Sequence, residues 1–172
     1  MTFVAPESLA ALKSAVGEGG WTEDAAEIAP WLTEWRNRWT GQTPLMLTPR
    51  STEQVAAAVR VCNAHRIPVV TQGGGTGLVG GQVPHGEVLL STRMLRAVRD
   101  VTPLDEAMTV EAGVTLLEAQ QAAAAADRMF PLSLAAEGSA TIGGVVSTNA
   151  GGTAVLRYGV MRDLVLGLEA VL

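Results

Sequence analysis

At 172 residues, 48% of them hydrophobic and 17% charged, the chain is too apolar for a disordered tail and sized for one domain or two small subdomains. Twelve basic against seventeen acidic residues give a net charge of −5, which argues against a nucleic-acid binder that must neutralise phosphates. A single cysteine, Cys62, excludes an internal disulfide and a cysteine-based zinc site, and no apolar run reaches the ~18 residues of a membrane span.

Residues 1–7 show no basic stretch followed by an apolar one, so the expectation is no secretory signal and a cytoplasmic protein. From Ser8 to Trp39, apolar residues recur at helical spacing: Leu9, Leu12 and Val16, then Ile28, Leu32 and Trp35. This predicts two helices, separated by Gly17, Gly19 and Gly20, with Gly41 ending the second. Trp21, Trp31, Trp35 and Trp39 all fall here and are read as packing against the body rather than stacking on a ligand.

A short strand is expected at Leu45-Met46-Leu47. Ser51 then opens a helix with the capping box Ser51-x-x-Gln54, and Val55, Val59 and Cys62 form its apolar face. Cys62 on that face reads as an inert buried hydrophobe. Residues 66–70 read as a buried strand running into Gly73-Gly74-Gly75-Thr76-Gly77-Leu78-Val79-Gly80-Gly81, with further strands at 88–90, 97–101 and 108–111. A helix over 115–126, boxed by Thr115-x-x-Glu118, precedes a second glycine-rich stretch, residues 138–152. The apolar residues 164–172 predict a last strand, cut rather than finished at the C-terminus.

Residues 73–81 hold six glycines and 138–152 hold five, so eleven of the 19 glycines lie in these two stretches. Successive N–H groups in such a loop can converge on one anion because no Cβ blocks close approach, and a diphosphate is the usual guest; two unrelated tight turns are the alternative. Gly75-x-Gly77-x-x-Gly80 formally matches the Rossmann fingerprint, which requires a helix opening within it. Here Val83-Pro84-His85-Gly86 and another strand follow instead. A Walker A loop fails too, since no Gly-Lys pair exists.

What remains is a strand–loop–strand with a second Gly/Ser/Thr/Asn segment. The run Pro68-Val69-Val70-Thr71-Gln72-Gly73-Gly74-Gly75-Thr76-Gly77-Leu78-Val79-Gly80-Gly81 resembles the pyrophosphate loop of FAD-linked oxidases of the vanillyl-alcohol oxidase/p-cresol methylhydroxylase (PCMH/VAO) type. Phe130-Pro131-Leu132-Ser133-Leu134, Gly138-Ser139-Ala140-Thr141-Ile142-Gly143-Gly144 and Ser147-Thr148-Asn149-Ala150-Gly151-Gly152 resemble the second FAD segment of that family. Arg157-Tyr158-Gly159, Arg162-Asp163 and Leu166-Gly167-Leu168-Glu169 follow in order. Glu34-Trp35-Arg36, Thr76-Gly77-Leu78-Val79-Gly80-Gly81 and Phe130-Pro131-Leu132-Ser133-Leu134 are similar to the D-2-hydroxyglutarate/D-lactate dehydrogenase branch or the glycolate oxidase FAD subunit.

The resemblance implies an α+β, two-subdomain FAD-binding domain of the PCMH/VAO type, truncated at its C-terminus. An N-terminal helical segment would cover 1–42. The FAD-binding domain would cover 43–172, divided into 43–101 and an incomplete 102–172, with the cofactor between the glycine clusters. Gly73, Gly74, Gly75, Thr76, Gly77 and Leu78 would hold the diphosphate. Pro131, Leu132, Gly138, Ser139, Thr141, Gly143 and Gly144 would line the flavin and ribityl chain, with Ser147, Thr148 and Asn149 adding side-chain hydrogen bonds. Some relatives attach FAD through a His in the first loop; Thr76 stands there, which implies non-covalent FAD.

The implied parent activity is oxidation of a D-2-hydroxy acid by hydride transfer to flavin. The family's substrate residues, catalytic His and any metal ligands belong to a C-terminal domain outside this chain, so the chain alone is expected to be inactive. No residue here is assigned as catalytic or metal-binding: His65 reads as a helix-end residue and His85 as a solvated turn residue, while Arg157 and Arg162 are candidates for anion contacts that read more simply as surface or strand-end pairing residues. Small 2-hydroxy acids are the expected substrates, with no nucleic acid and no membrane span; the electron acceptor is open and a homodimer is compatible. Other PCMH-fold activities, such as a peptidoglycan-precursor reductase or alcohol oxidase, and a non-catalytic flavin subunit of a larger complex stay open as alternatives.

Overall fold

The computed structural model describes residues 4–172. They form two compact units: residues up to Met94 together with Ala170–Leu172, and Leu95–Glu169.

In the first unit, α1 (Pro6–Val16) starts with proline at its first position, where no N–H is needed, and stops at Gly17, whose φ of 76° no β-carbon hinders. Strand β1 (Trp21–Thr22) follows, then α2 (Ala25–Ile28), whose Asp24 carboxylate accepts the N–H groups of Ala26 and Glu27. Strand β2 (Met46–Leu47), helix α3 (Thr52–His65), strand β3 (Val69–Gln72) and strand β4 (Val88–Ser91) complete the unit. The sheet order is β1-β2-β4-β3: β4 runs parallel to both β2 and β3, while β1 is antiparallel to β2. Every residue of β4 is buried, as a central strand covered on both faces requires.

The pleat sorts neighbours to opposite faces. Leu45, Leu47 and Val88 pack with Leu12, Val16, Ala58 and Cys62 of α1 and α3. Met46 and Leu89 pack with Ile28, Trp31 and Leu32 on the other side. Each such fully buried leucine contributes roughly 1.5–3 kcal/mol.

The second unit opens with β5 (Val98–Thr102) and β6 (Ala107–Val110), an antiparallel pair with an irregular register between Val98 and Asp100. Helix α4 (Leu116–Ala125) has the full capping box: Thr115 Oγ1 accepts the Glu118 N–H at 3.2 Å, and the Glu118 carboxylate accepts the Thr115 N–H at 2.8 Å. Three short helices follow, α5 (Ile142–Ser147), α6 (Val155–Tyr158) and α7 (Met161–Leu164), around a core of Val114, Leu116, Ala119, Leu132, Ile142, Val145 and Met161.

Several expectations need correction. The helix expected through Leu32 and Trp35 ends at Ile28, passes into a 3-10 turn over Ala29–Trp31 at Pro30, and gives way to a hairpin held by a Thr33–Thr40 bridge. Gly41 is therefore not a helix stop; its N–H donates to Leu32 O at 2.8 Å. Trp35 does not pack against the body, being 82% exposed, and Trp39 is also partly in solvent. The strand at 66–70 begins only at Val69, because Arg66 takes the left-handed conformation that ends α3. The Ser51 box is half formed: Ser51 caps the Gln54 N–H, but the Gln54 side chain accepts from Arg50 N. Part of the second glycine-rich stretch is helical rather than loop. Residues 165–172 form no strand, since among the described residues none pairs with them in a ladder.

Candidate functional site

The first glycine cluster leaves β3 and reaches β4 without forming a helix, so the Rossmann reading fails in three dimensions as it does in sequence. Among the described residues, the N–H groups of residues 73–79 have no internal acceptor. Gly75 and Gly80 take φ of 70° and 78°, the left-handed region in which a side chain is strained. Seven consecutive donors on a half-exposed loop make a surface that can surround an anion.

What holds the loop is less visible in the sequence. Gln72 is 3% exposed, and its amide donates to Trp31 O at 3.1 Å and Gln82 O at 3.0 Å. Gln82 in turn donates from its side chain to Gly77 O at 2.7 Å. On the flank, the hairpin over 33–40 closes on Glu34, a 1% exposed carboxylate that accepts the N–H groups of Arg36 at 2.8 Å and Arg38 at 2.6 Å. Burial would raise the pKa of Glu34; those two N–H groups and the two guanidiniums outweigh it and hold the carboxyl below its ordinary value. The hairpin sets the Trp39 ring against Gly80, where a β-carbon would stand 2.9 Å from the ring. Gln72, Gln82, Glu34 and Trp39 were not read as site residues. The available signal was a glutamine on each side of the glycine run, one of them closing an apolar strand.

The second cluster, in the other unit, uses its groups differently. Thr141 precedes α5 and is 1% exposed; its Oγ1 is buried without a hydrogen-bond partner. Gly143 donates to Ala112 O at 2.8 Å and lies so close to Ala112 that a β-carbon would meet the Ala112 methyl at 2.8 Å. Ser147 and Thr148 donate their hydroxyls back to Gly143 O and Gly144 O, at 2.7 and 2.8 Å. Asn149, in the left-handed region, accepts the Arg162 N–H at 2.9 Å.

Leu132 is a core residue, with Gln120 donating to its carbonyl at 2.8 Å. Pro131 lies at the surface of the same unit, on an apolar cavity of about 320 Å³ shared with Phe130, Met129 and Tyr158. Gly138 and Ser139 are exposed. Ser133 and Gln120 hydrogen-bond the Glu137 carboxyl and hold it below its ordinary value.

His65 Nδ1 lies 3.0 Å from Ser8 Oγ, and exposed His85 gives its backbone N–H to Glu87, depressing that carboxyl. Burial pushes the Cys62 thiol up, which suits a core residue and not a nucleophile.

Residues 43–172 match a known family model, described as FAD binding domain. The chain belongs to that family. FAD is thus the cofactor of this domain.

This FAD-binding chain is 43% identical over 147 residues to a D-2-hydroxyglutarate–pyruvate transhydrogenase of Saccharomyces cerevisiae, covering 85% of this chain and 30% of the relative. It is 39% identical over 172 residues to the mitochondrial D-2-hydroxyglutarate dehydrogenase of Bos taurus, covering 99% and 31%. The chain therefore spans about a third of the length of the curated relatives it matches. An alkyldihydroxyacetonephosphate synthase structure superposes with a TM-score of 0.84 at 18% identity, covering 94% of this chain and 32% of that one. For p-cresol methylhydroxylase the values are 0.67, 21%, 84% and 29%. At such identities these two report the fold alone, the PCMH/VAO-type FAD-binding fold. No helix among the described residues is long and apolar enough to cross a membrane.

Proposed function

We propose that this chain is the FAD-binding part of an oxidoreductase that oxidises a D-2-hydroxy acid, of the 2-hydroxyglutarate, lactate or glycolate type, and that it holds FAD non-covalently. The observation that carries the reading is the run of uncommitted N–H groups over residues 73–79. A diphosphate offers many acceptor oxygens and suits such a run. Gly73, Gly74, Gly75, Gly77 and Leu78 would donate backbone N–H groups, and Thr76 its hydroxyl as well. Thr76 carries no imidazole for a covalent link, which supports reversible attachment.

In the second unit the buried, unpartnered Thr141 Oγ1 fits a polar group of the flavin or ribityl chain. Pro131, Gly138, Ser139 and Gly144 would approach through backbone and small surface, and Leu132 through backbone, its side chain belonging to the core. Gly143 gives its N–H to Ala112 and would contribute closeness rather than a donor. Ser147, Thr148 and Asn149 would act as acceptors, their present bonds leaving oxygen lone pairs.

When bound, FAD supplies the acceptor for the hydride leaving the substrate carbon. The base for the hydroxyl proton and the cations for the carboxylate we assign to the part of the relatives' length that this chain does not span. The names of the relatives support the substrate class. The test is anaerobic addition of D-2-hydroxyglutarate, D-lactate or glycolate to the flavin-loaded full-length protein. Bleaching of the visible flavin band by achiral glycolate, or by D-2-hydroxyglutarate or D-lactate and not by its L-enantiomer, is expected. A flavin that none of the three reduces would contradict the substrate reading.

A further inference from the structure

Gln82 stands outside every motif that suggested a cofactor, yet its side chain reaches into the middle of the first glycine loop. Its amide donates to Gly77 O at 2.7 Å, five residues back along the chain. The approach is possible because residue 77 is glycine: a β-carbon there would meet Gln82 Oε1 at 2.9 Å. The backbone of Gln82 is itself fixed, since the buried Gln72 amide donates to Gln82 O at 3.0 Å and to Trp31 O at 3.1 Å. Strand β3 is thereby tied through two amides to the centre of the loop.

The consequence follows from peptide geometry. In a trans peptide the carbonyl and the next N–H lie in one plane and point in opposite directions. The Gly77 carbonyl faces the Gln82 amide, so the N–H of Leu78, in the same peptide plane, faces away from it. That N–H has no internal acceptor among the described residues. Were the Gly77 carbonyl free, the plane could rotate and present carbonyl oxygen, a partial negative charge, to an incoming anion.

We propose that Gln82 is a positioning residue for the cofactor diphosphate: by holding the Gly77 carbonyl it keeps the Leu78 N–H turned outward as a donor. This inference rests on the FAD reading above and adds to it a side chain that does not touch the cofactor.

The experiment compares this chain with its Gln82→Met variant, which keeps side-chain length and removes the amide, and with Gly77→Ala, which displaces the amide by crowding it. FAD affinity is measured by titration, the unfolding midpoint is measured without ligand, and the Leu78 amide proton is followed by NMR during FAD addition. Loss of one donor to an ionised oxygen predicts an FAD Kd raised about tenfold in both variants. The unfolding midpoint of Gln82→Met should stay at the wild-type value. The Leu78 amide proton should shift on FAD addition in the wild type and stay in place in Gln82→Met. Wild-type affinity in Gln82→Met, or a loss of affinity matched by a lowered midpoint, would overturn the positioning role while leaving the FAD reading intact. A wild-type chain that is folded and binds no FAD would overturn that reading and this inference together.

Discussion

Between residues 73 and 81 the glycines free the backbone: Gly75 and Gly80 take positive φ, and seven N–H groups have no internal acceptor among the described residues. Between 138 and 152 Gly143 and Gly152 serve packing instead, Gly143 wound into α5 against Ala112 and Gly152 against the Ser133 carbonyl, while Gly138 stands open. The same residue type, six in nine residues in one stretch and five in fifteen in the other, thus answers two different physical needs: conformational range, as at Gly75, and absence of volume, as at Gly143, with Gly80 serving both. A glycine count alone cannot separate the two; the neighbours of each Cα can.

Substitutions that supply volume or restrict φ test this division directly. Gly143→Val should be more damaging than a change at Gly75, because its β-carbon would stand 2.8 Å from the Ala112 methyl and 3.0 Å from the Ala112 carbonyl. A loss of about 3 kcal/mol in chemical denaturation is expected. Gly75→Ala meets nothing within 4 Å, so only its φ of 70° opposes it, at roughly 1–2 kcal/mol. If Gly75→Ala proved as costly as Gly143→Val, the loop would be packed and the contrast false.

Hydroxyls divide in the same way. Thr115 caps α4 and completes a reciprocal box, and Thr115→Ala should cost about 1 kcal/mol. The Thr148 hydroxyl, just past the end of α5, bonds only the Gly144 carbonyl four residues back, and Thr148→Ala should change stability by no more than about 0.5 kcal/mol. Equal effects in thermal denaturation would mean that the box is not what starts α4.

Acid sharpens the picture of the same box. The Thr115 N–H lowers the Glu118 pKa, burial opposes the shift, and the ion pair with Arg96 adds to it. A carboxyl depressed on folding contributes stability fully above its unfolded value near 4.5 and loses it as pH falls through the lower folded value. Glu118→Gln should therefore flatten the acid limb of a stability–pH curve below about pH 4.5. An unchanged limb would show that Glu118 is not among the groups that set it.

Much of this was legible in residue order. The strands near β2, β3 and β4, the α4 box and the absence of a Rossmann turn all followed from apolar runs, caps and the proline after the glycine loop; the parallel pairing of those strands did not. The segment over 32–41 misled, because its apolar residues fall at helical spacing while Pro30 and the self-capping Glu34 favour a hairpin. Glu34 carries that turn through backbone N–H groups, a use of carboxylate that periodicity does not register. Residues 164–172 were apolar enough to predict a strand, but a strand exists only with a neighbour, and sequence lists no neighbours. Gln72 and Gln82 escaped for the converse reason: their importance lies in which carbonyls they reach, not in their spacing.

The most direct test of the account is the visible absorption spectrum of the purified chain after FAD addition and removal of excess ligand, repeated on the supernatant after acid precipitation. A flavin band that accompanies the folded chain and then passes wholly into the supernatant, as held, unbonded FAD must, is expected. A folded chain that emerges colourless, or a flavin that stays with the precipitate, would contradict it.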